Sequence, residues 1–291
     1  MNNFTISDIE NLTRIKAHTL RIWEQRYNLL VPKRTETGHR YYDGEDLKSI
    51  LRVAWLYHHD YKISRISKMS ADEIREKALG LDHTPLAPEQ LLNRLLECSI
   101  DFDESSFIQT LNQSIQQQGF SATMLQIIFP FLKKLGLFWL TGHVIPSQEH
   151  FASALIIRKI LFETDQLPQP IYTGKRKVVL FTPLGEHHEI PLLFVRYLMK
   201  KNSVRVAYLG ANISNEILKD YCTKKKLVTE LYFHLITNLT RTDLSDYLQQ
   251  LRKDIPGVMI YFSGIRPDIT FRLPPDMYYL DSQEAILNYT R

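Results

Sequence analysis

Two histidines and two carboxylates occupy four consecutive positions in Phe181-Thr-Pro-Leu-Gly-Glu-His-His-Glu-Ile-Pro191. The stretch follows an apolar run, KVVLF, and precedes LLFVRYLMKK, which has a helical pattern. Such a cluster can act as an acid/base pair, a metal site, a cofactor ligand or a solvated turn. No third ligand at metal spacing accompanies the histidines, which argues against zinc. The two cysteines, Cys98 and Cys222, are far apart and outside any CxxC pattern, so neither a thiolate metal site nor a disulfide framework is expected. The chain has no GxSxG, no Gly-rich phosphate loop and no GxGxxG, which sets those chemistries aside.

A second group of residues suits a different task. Over 14–40, Arg14, Lys16, Arg21, Arg26, Lys33, Arg34 and Arg40 are set against only Glu24 and Glu36. Residues 1–70 hold 12 Lys/Arg and 8 Asp/Glu, while the rest of the chain holds 24 of each, so the whole net charge of +4 sits in the first quarter. A local basic excess is the footprint of a surface that meets phosphates. A solvated cationic helix would give the same count, and charge alone does not choose between them.

The elements that must position these residues fall into three segments. With 291 residues, 44% hydrophobic and 23% charged, the chain has room for two or three globular domains. No apolar run approaches the ~18 residues of a membrane span, and MNNFTISDIE lacks the basic start and apolar core of a secretory signal. A cytoplasmic location away from any membrane is the expectation. In residues 1–80, Thr5-Ile-Ser-Asp8 opens a short helix over 6–12. LTRIKAHTLRIWEQRY follows as a second helix with Ile15, Leu20, Ile22 and Trp23 as apolar contacts, so the pair reads as helix-turn-helix. LLVPKRTETGHRYY suits a β-hairpin wing, and Asp43, Glu45 and Asp46 open a third helix. Gly80, Pro85 and Pro88 mark a linker. Residues 86–167 show apolar spacings of three and four in four stretches joined by short loops, which predicts a four-helix bundle with a kink at Pro130. Residues 175–291 alternate β-rich runs (KVVLFTP, VRVAYLG, LYFHLIT, VMIYFSG) with helical patterns, which predicts a doubly wound parallel sheet. The ends of its strands, including FTPLGEHHEIP and the loops after Gly210, Thr237 and Ser263, are where such sheets take ligands. The expected fold is therefore a multidomain α+β chain: a winged helix-turn-helix, a four-helix bundle and a C-terminal Rossmann-like α/β domain.

LRIWEQRYNLLVPKRTETGHRYY resembles the DNA-binding domain of the MerR family of transcriptional regulators, over about 70 residues. In the wing, Arg34-Thr-Glu-Thr-Gly38-His39-Arg40-Tyr41-Tyr42, His39 takes the usual aromatic place. The resemblance implies a double-stranded DNA operator as partner, with Lys16, His18, Thr19, Arg21 and Arg26 on the recognition helix and Arg34, His39, Arg40, Tyr41 and Tyr42 on the wing as its contacts. Trp23, Tyr27 and Tyr42 can equally pack the small core. The family's long dimerisation helix is not evident after residue 80, so a homo-oligomer, dimer or tetramer, would be arranged differently.

Glu186-His-His188 resembles the D/E-x-H-x-x-G motif of cobalamin-binding domains of cobalamin-binding type, in which the histidine ligates cobalt from below and the acidic residue orients it. Trp139, Glu149 and His150 reproduce the W-x9-E-H motif of the cobalamin-dependent MerR photoreceptors of the CarH/LitR type. The order of head, bundle and α/β domain is also theirs. The resemblance implies a repressor that senses cobalamin, as adenosylcobalamin or a related corrinoid, with or without a dependence on light. It assigns His188 to cobalt and Trp139, Glu149, His150, Glu186, Thr237, Ser263 and Gly264 to the cofactor. Three positions depart from the pattern. Pro191 replaces a glycine, Ser263 replaces the first of two glycines that let the cofactor's nucleotide tail pass, and Leu140 stands where light-sensing relatives carry a histidine. A cofactor-free regulator of the same fold, or a corrinoid methyltransferase or carrier, are the alternatives, and the winged-helix head argues against the second.

Overall fold

A computed structural model describes residues 4–34, 39–79, 87–140 (backbone alone from 137), 146–225, 228–237, 243–266 and 272–291. The wing tip 35–38, the linker 80–86, the side chains of Trp139 and Leu140, and Asn238-Leu239 lie outside this description. The chain divides into two compact units, Met1–Leu155 and Ile156–Arg291.

The first unit opens with α1 (Ile6–Thr13) and α2 (Ala17–Tyr27), joined at Arg14, which takes a left-handed conformation. Thr5 and Asp8 cap α1 reciprocally, as their spacing implies, because each supplies an acceptor for the other's backbone amide. The second helix begins at Ala17 rather than within LTRIK. The left-handed turn at Arg14 breaks the helical run, and Glu10 accepts from the Ala17 amide where α2 starts. β1 (Lys33–Arg34) and β2 (Arg40–Tyr41) pair antiparallel as the wing, and α3 (Gly44–His58) follows with Asp43 and Asp46 in a capping box. α4 (Ile63–Ile66) and α5 (Ala71–Leu79) complete the head. Its core gathers Phe4, Ile9, Ile15, Leu20, Trp23, Tyr42, Leu47, Ile50 and Leu56. Ile22, an expected core contact, is instead exposed, because it lies on the α2 face opposite Leu20 and Trp23.

The bundle consists of α6 (Pro88–Asp101), α7 (Glu104–Gln118), α8 (Phe120–Thr123), α9 (Phe129–Leu140) and α10 (Pro146–Asp165). Between α8 and α9 the chain widens into a π-helical turn, Met124–Ile128, where the Phe129 amide reaches back to the Met124 carbonyl. This turn immediately precedes Pro130, whose ring offers no N–H to an α-helical ladder. The expected irregularity at Pro130 thus takes the form of a π turn upstream of it.

Head and bundle meet within this unit through charged pairs on α3 and α6. Arg52 holds Glu97 with both ends of its guanidinium, one bond being Nε to Oε1 at 2.9 Å. One turn earlier, Lys48 Nζ lies 2.8 Å from both oxygens of Asp101. Gln90 donates toward the terminal carbonyls of α5, and Gln148 of α10 donates to the Ile100 carbonyl at 3.0 Å.

The second unit carries a five-stranded parallel sheet: β3 (Lys177–Pro183), β4 (Arg205–Ile213), β5 (Glu230–Leu235), β6 (Met259–Gly264) and β7 (Met277–Leu280), in the order β4-β3-β5-β6-β7. Helices α11 (Ile190–Lys201) and α14 (Gln283–Tyr289) cover one face, with Val178, Leu180, Tyr232, Leu192 and Met199 beneath. On the other face lie α12 (Asn215–Lys224) and α13 (Leu244–Asp254), over Val179, Phe181, Leu231, Phe233 and Phe262. Alternate residues of β3 feed opposite cores, which explains why its sequence is an unbroken apolar run. The fifth strand and final helix went unanticipated by pattern, since MYYL is only four residues and follows a stretch with two prolines.

The Arg52–Glu97 pair is the most enclosed charged contact between head and bundle, with side chains 16% and 9% exposed. Glu97→Ala is expected to lower stability by about 3–5 kcal/mol, because it strands a largely buried guanidinium, whereas the double variant Arg52→Met/Glu97→Leu should recover most of the loss. Urea unfolding of the three proteins checks this.

Candidate functional site

The opening cluster sits where the sheet changes direction. From β3 the chain crosses to β4 on one side, and the next strand, β5, adds on the other, so β3 and β5 end beside a topological switch point. Glu186 fills that position. Its side chain has no solvent exposure, and both oxygens are engaged. Oε2 accepts the amides of Ile236 and Thr237, each at 2.8 Å, and the Thr237 hydroxyl at 3.1 Å. Oε1 accepts the His188 amide at 2.9 Å and the His188 ring Nδ1–H at 2.6 Å. Burial alone pushes this carboxyl up. The His188 ring and the amides of Thr237, His188 and Ile236 outweigh it and hold the group down to about 2.

The loop around it is built by short-range polar bonds. Thr182 donates its hydroxyl to the Glu186 carbonyl at 2.5 Å and accepts the Asn212 amide at 2.9 Å. The Asn212 side chain accepts the Gly185 amide at 2.8 Å, with Gly185 at φ 93°. That conformation suits glycine, so the turn is specified locally. Pro191 lies in the first turn of α11, where a missing N–H costs nothing, and the helix runs on normally. Glu189, the last acid of the cluster, accepts the Tyr208 hydroxyl. His187 is exposed, and His188 is half-exposed.

A histidine whose Nδ1–H is given to a buried carboxylate presents Nε2 as the basic, metal-ligating nitrogen. Leu184, 61% exposed, and Ile236, 47% exposed, flank this position at the same strand ends. An imidazole at strand ends that also carry two exposed aliphatic residues fits a flat, largely apolar group carrying a metal at its centre. That is the chemistry of a corrin ring. Among the described residues no cluster of three or more His, Cys, Asp or Glu could hold a bare metal ion, so the imidazole's ligand would bring the rest of its own coordination.

The other residues assigned to the cofactor divide. Thr237 is brought to the site, where it serves Glu186. Ser263 is fully buried, its hydroxyl 2.7 Å from both Tyr232 OH and His234 Nδ1. Gly264 ends β6 at φ 97°. Glu149 and His150 stand at the start of α10, Nδ1 to Oε2 at 3.3 Å, with Glu149 also accepting the Ser153 hydroxyl and His150 exposed. Ile236 and Leu184 were missed. Exposed aliphatics beside a polar cluster at a strand end are the signal that would have found them.

In the head, His18, Arg21, Ile22 and Gln25 recur at i, i+3, i+4 and i+7 on α2, and all are exposed. Arg26 and Lys16 are exposed beside them, and Thr19 is half-buried. Across the wing Arg34 pairs with Arg40. Like charges directly opposite are unfavourable unless anions lie near; Glu24 of α2 offers one at 3.6 Å from Arg40, and phosphates would offer others. His39 is exposed and Tyr41 half-buried. Tyr42, expected among the DNA contacts, is buried and its backbone pairs with Phe4, so it packs the core. Ile22 and Gln25 were absent from the expected contacts, yet an aliphatic group and an amide are what read a thymine methyl and an adenine edge.

Comparison with known proteins bears on the head and on the bundle. Residues 4–73 match the MerR HTH family regulatory protein family, and residues 91–161 match a B12 binding domain. The chain is 28% identical over 222 residues to the HTH-type transcriptional repressor CarA of Myxococcus xanthus, covering 75% of this chain and 72% of that protein. It is 23% identical over 271 residues to the HTH-type transcriptional repressor CarH of the same organism, covering 90% and 88% respectively. Among solved structures, the monomethylamine corrinoid protein of Methanosarcina barkeri aligns with a TM-score of 0.54 at 12% identity, over 70% of this chain and 99% of that one, which establishes a shared fold.

Because Glu186 is held low in the folded protein, its contribution to stability is present above the ordinary value of 4.5 and is lost as the pH falls from there through about 2. Urea unfolding across that range should show wild-type losing on the order of 3 kcal/mol more than Glu186→Gln. Parallel pH profiles for the two proteins would contradict the assignment.

Proposed function

We propose that this chain, a MerR-type helix-turn-helix regulator carrying a B12-binding domain, represses transcription at a double-stranded DNA operator under the control of a corrinoid. The observation that carries the reading is the His188 imidazole, oriented by a fully buried Glu186 at the switch point of the sheet and flanked by exposed Leu184 and Ile236. His188 would hold the cobalt from below, Glu186 would fix its tautomer, and Leu184 and Ile236 would seat the ring. When bound, an adenosyl corrinoid supplies a cobalt–carbon bond that light can break. Trp139, Glu149 and His150 are assigned to the cofactor by their motif. α2 would enter the major groove, and Arg34 and Arg40 would hold adjacent phosphates. Occupancy by the corrinoid would set how many copies associate, and several heads on one operator bind with higher avidity than one. The relatives CarA and CarH are named repressors, which supports repression over activation and a regulatory role over an enzymatic one.

Size exclusion with visible absorbance, after mixing with adenosylcobalamin in the dark, should give a coloured protein peak and a shift in elution that His188→Ala abolishes. A His188→Ala variant that is equally coloured would refute the ligand. Illuminating the coloured complex and repeating the run tests light as the signal; an unchanged elution position assigns control to the cofactor alone. On the DNA side, Arg21→Ala should cost about 1–3 kcal/mol and relax preference at one base pair, whereas Arg34→Ala should weaken all sequences alike and lower the salt slope by about 1. Gel shift against operator and scrambled duplexes at two salt concentrations separates them.

A further inference from the structure

A corrinoid held by His188 must put its own lower base somewhere. In cobalamin a benzimidazole nucleotide is tethered to the ring and can occupy the lower cobalt position. If an imidazole of the protein takes that position, the nucleotide is displaced to the same side, which here is the side of the sheet. Two features of the sheet beside the Glu186–His188 loop bear on the room such a nucleotide would need.

The first is the seam between β5 and β6. The strands stay in register to their last residues, Leu235 opposite Gly264. Gly264 is pressed so closely on its neighbour that a Cβ there would stand 1.9 Å from the Leu235 carbonyl oxygen. The second is the sheet face under α11 and α14. Tyr232 and Ser263 are wholly buried there, and the Ser263 hydroxyl joins Tyr232 OH to His234 Nδ1 at 2.7 Å each. The chain can run from the Tyr232 hydroxyl to Ser263 and from the Ser263 hydroxyl to His234, which satisfies all three. Burial pushes His234 down to about 4, so the ring is neutral at physiological pH and makes an acceptor available for that bond. Below, Tyr289 of α14 stacks on Tyr232 at 5.3 Å, and Arg176 lies over Tyr289 while gripping Glu230. A flat nucleotide base could enter this volume only by displacing the packed phenol ring and unpairing buried polar groups, and both are costly.

Resting on the corrinoid reading above, we propose that the site selects corrinoids without the lower nucleotide, the cobinamide class, over intact cobalamin, and that Tyr232, His234 and Ser263 are the residues that impose the selection. They act by filling the space beneath the ring and need not touch the ring itself.

The test is a pair of binding titrations in the dark, followed by visible absorbance, with adenosylcobinamide and adenosylcobalamin on the full chain. Lifting the base off cobalt has its own cost, which an acid titration of free adenosylcobalamin measures and which is subtracted. The remaining preference for adenosylcobinamide is expected to be about tenfold or more, the equivalent of about 1.4 kcal/mol or more. Tyr232→Ala/Ser263→Gly should narrow that gap while Tyr232→Phe, which keeps the ring, should leave most of it. Equal corrected affinities, tighter cobalamin binding, or an unchanged gap in a folded Tyr232→Ala/Ser263→Gly protein would overturn the selection while leaving His188 as ligand. Failure of wild-type to bind either corrinoid would overturn both readings. If the double variant does not fold, the corrected wild-type comparison decides alone.

Discussion

One buried carboxylate ties the C-terminal unit together at the point where its sheet divides. Glu186 has no exposed surface and accepts five hydrogen bonds, two from the loop that bears it and three from the end of β5. A buried charge without such partners would be strongly unfavourable. Its bonds therefore do two jobs at once: they close the crevice between β3 and β5, and they set the plane and tautomer of His188. The strand order, the Gly185 turn and the α11 start all serve to bring the carboxylate to that position. In the proposed corrinoid site, the same carboxylate would tune the imidazole as a ligand.

The N-terminal unit follows a comparable logic with a different outcome. Arg52 and Lys48 on α3 meet Glu97 and Asp101 on α6, and Gln148 on α10 donates to the carbonyl of Ile100, beside Asp101. The helix that begins with Glu149 and His150 is thus joined through α6 to the helix that backs the DNA-reading head. Directional polar contacts between these elements, charged at α3–α6 and neutral at α6–α10, hold a defined orientation. Such a path gives the bundle a physical hold on the head, and spatial continuity is its warrant.

Much of this was legible in the residues. The capping pairs at Thr5 and Asp43, the wing, the four helical stretches and four of the five strands follow from local spacing, because each is decided by neighbours a few positions away. The acid two places before His188 likewise points to an oriented imidazole. Three things were not legible, and each depends on distant partners. The Ile236 and Thr237 amides lie about fifty positions from Glu186 and reach it only through the strand order. Ser263 reads as a small change at a glycine pair, yet its effect comes from Tyr232, 31 positions away, and from His234. Tyr41 and Tyr42 are adjacent and identical in type, and only the pairing of Tyr42 with Phe4 decides that one is buried. The short β7 lacked enough residues to show any period at all.

The central claim is that His188 of this chain is the lower ligand of a bound corrinoid. Electron paramagnetic resonance of the protein bound to the Co(II) form of the corrinoid tests it most directly, comparing protein grown with natural and with nitrogen-15 histidine. Coordination by His188 requires the cobalt hyperfine lines to be split into three by a nitrogen-14 nucleus and into two after the histidines are labelled. Threefold splitting that survives the labelling would place the cofactor's own base, and not the imidazole, on the metal.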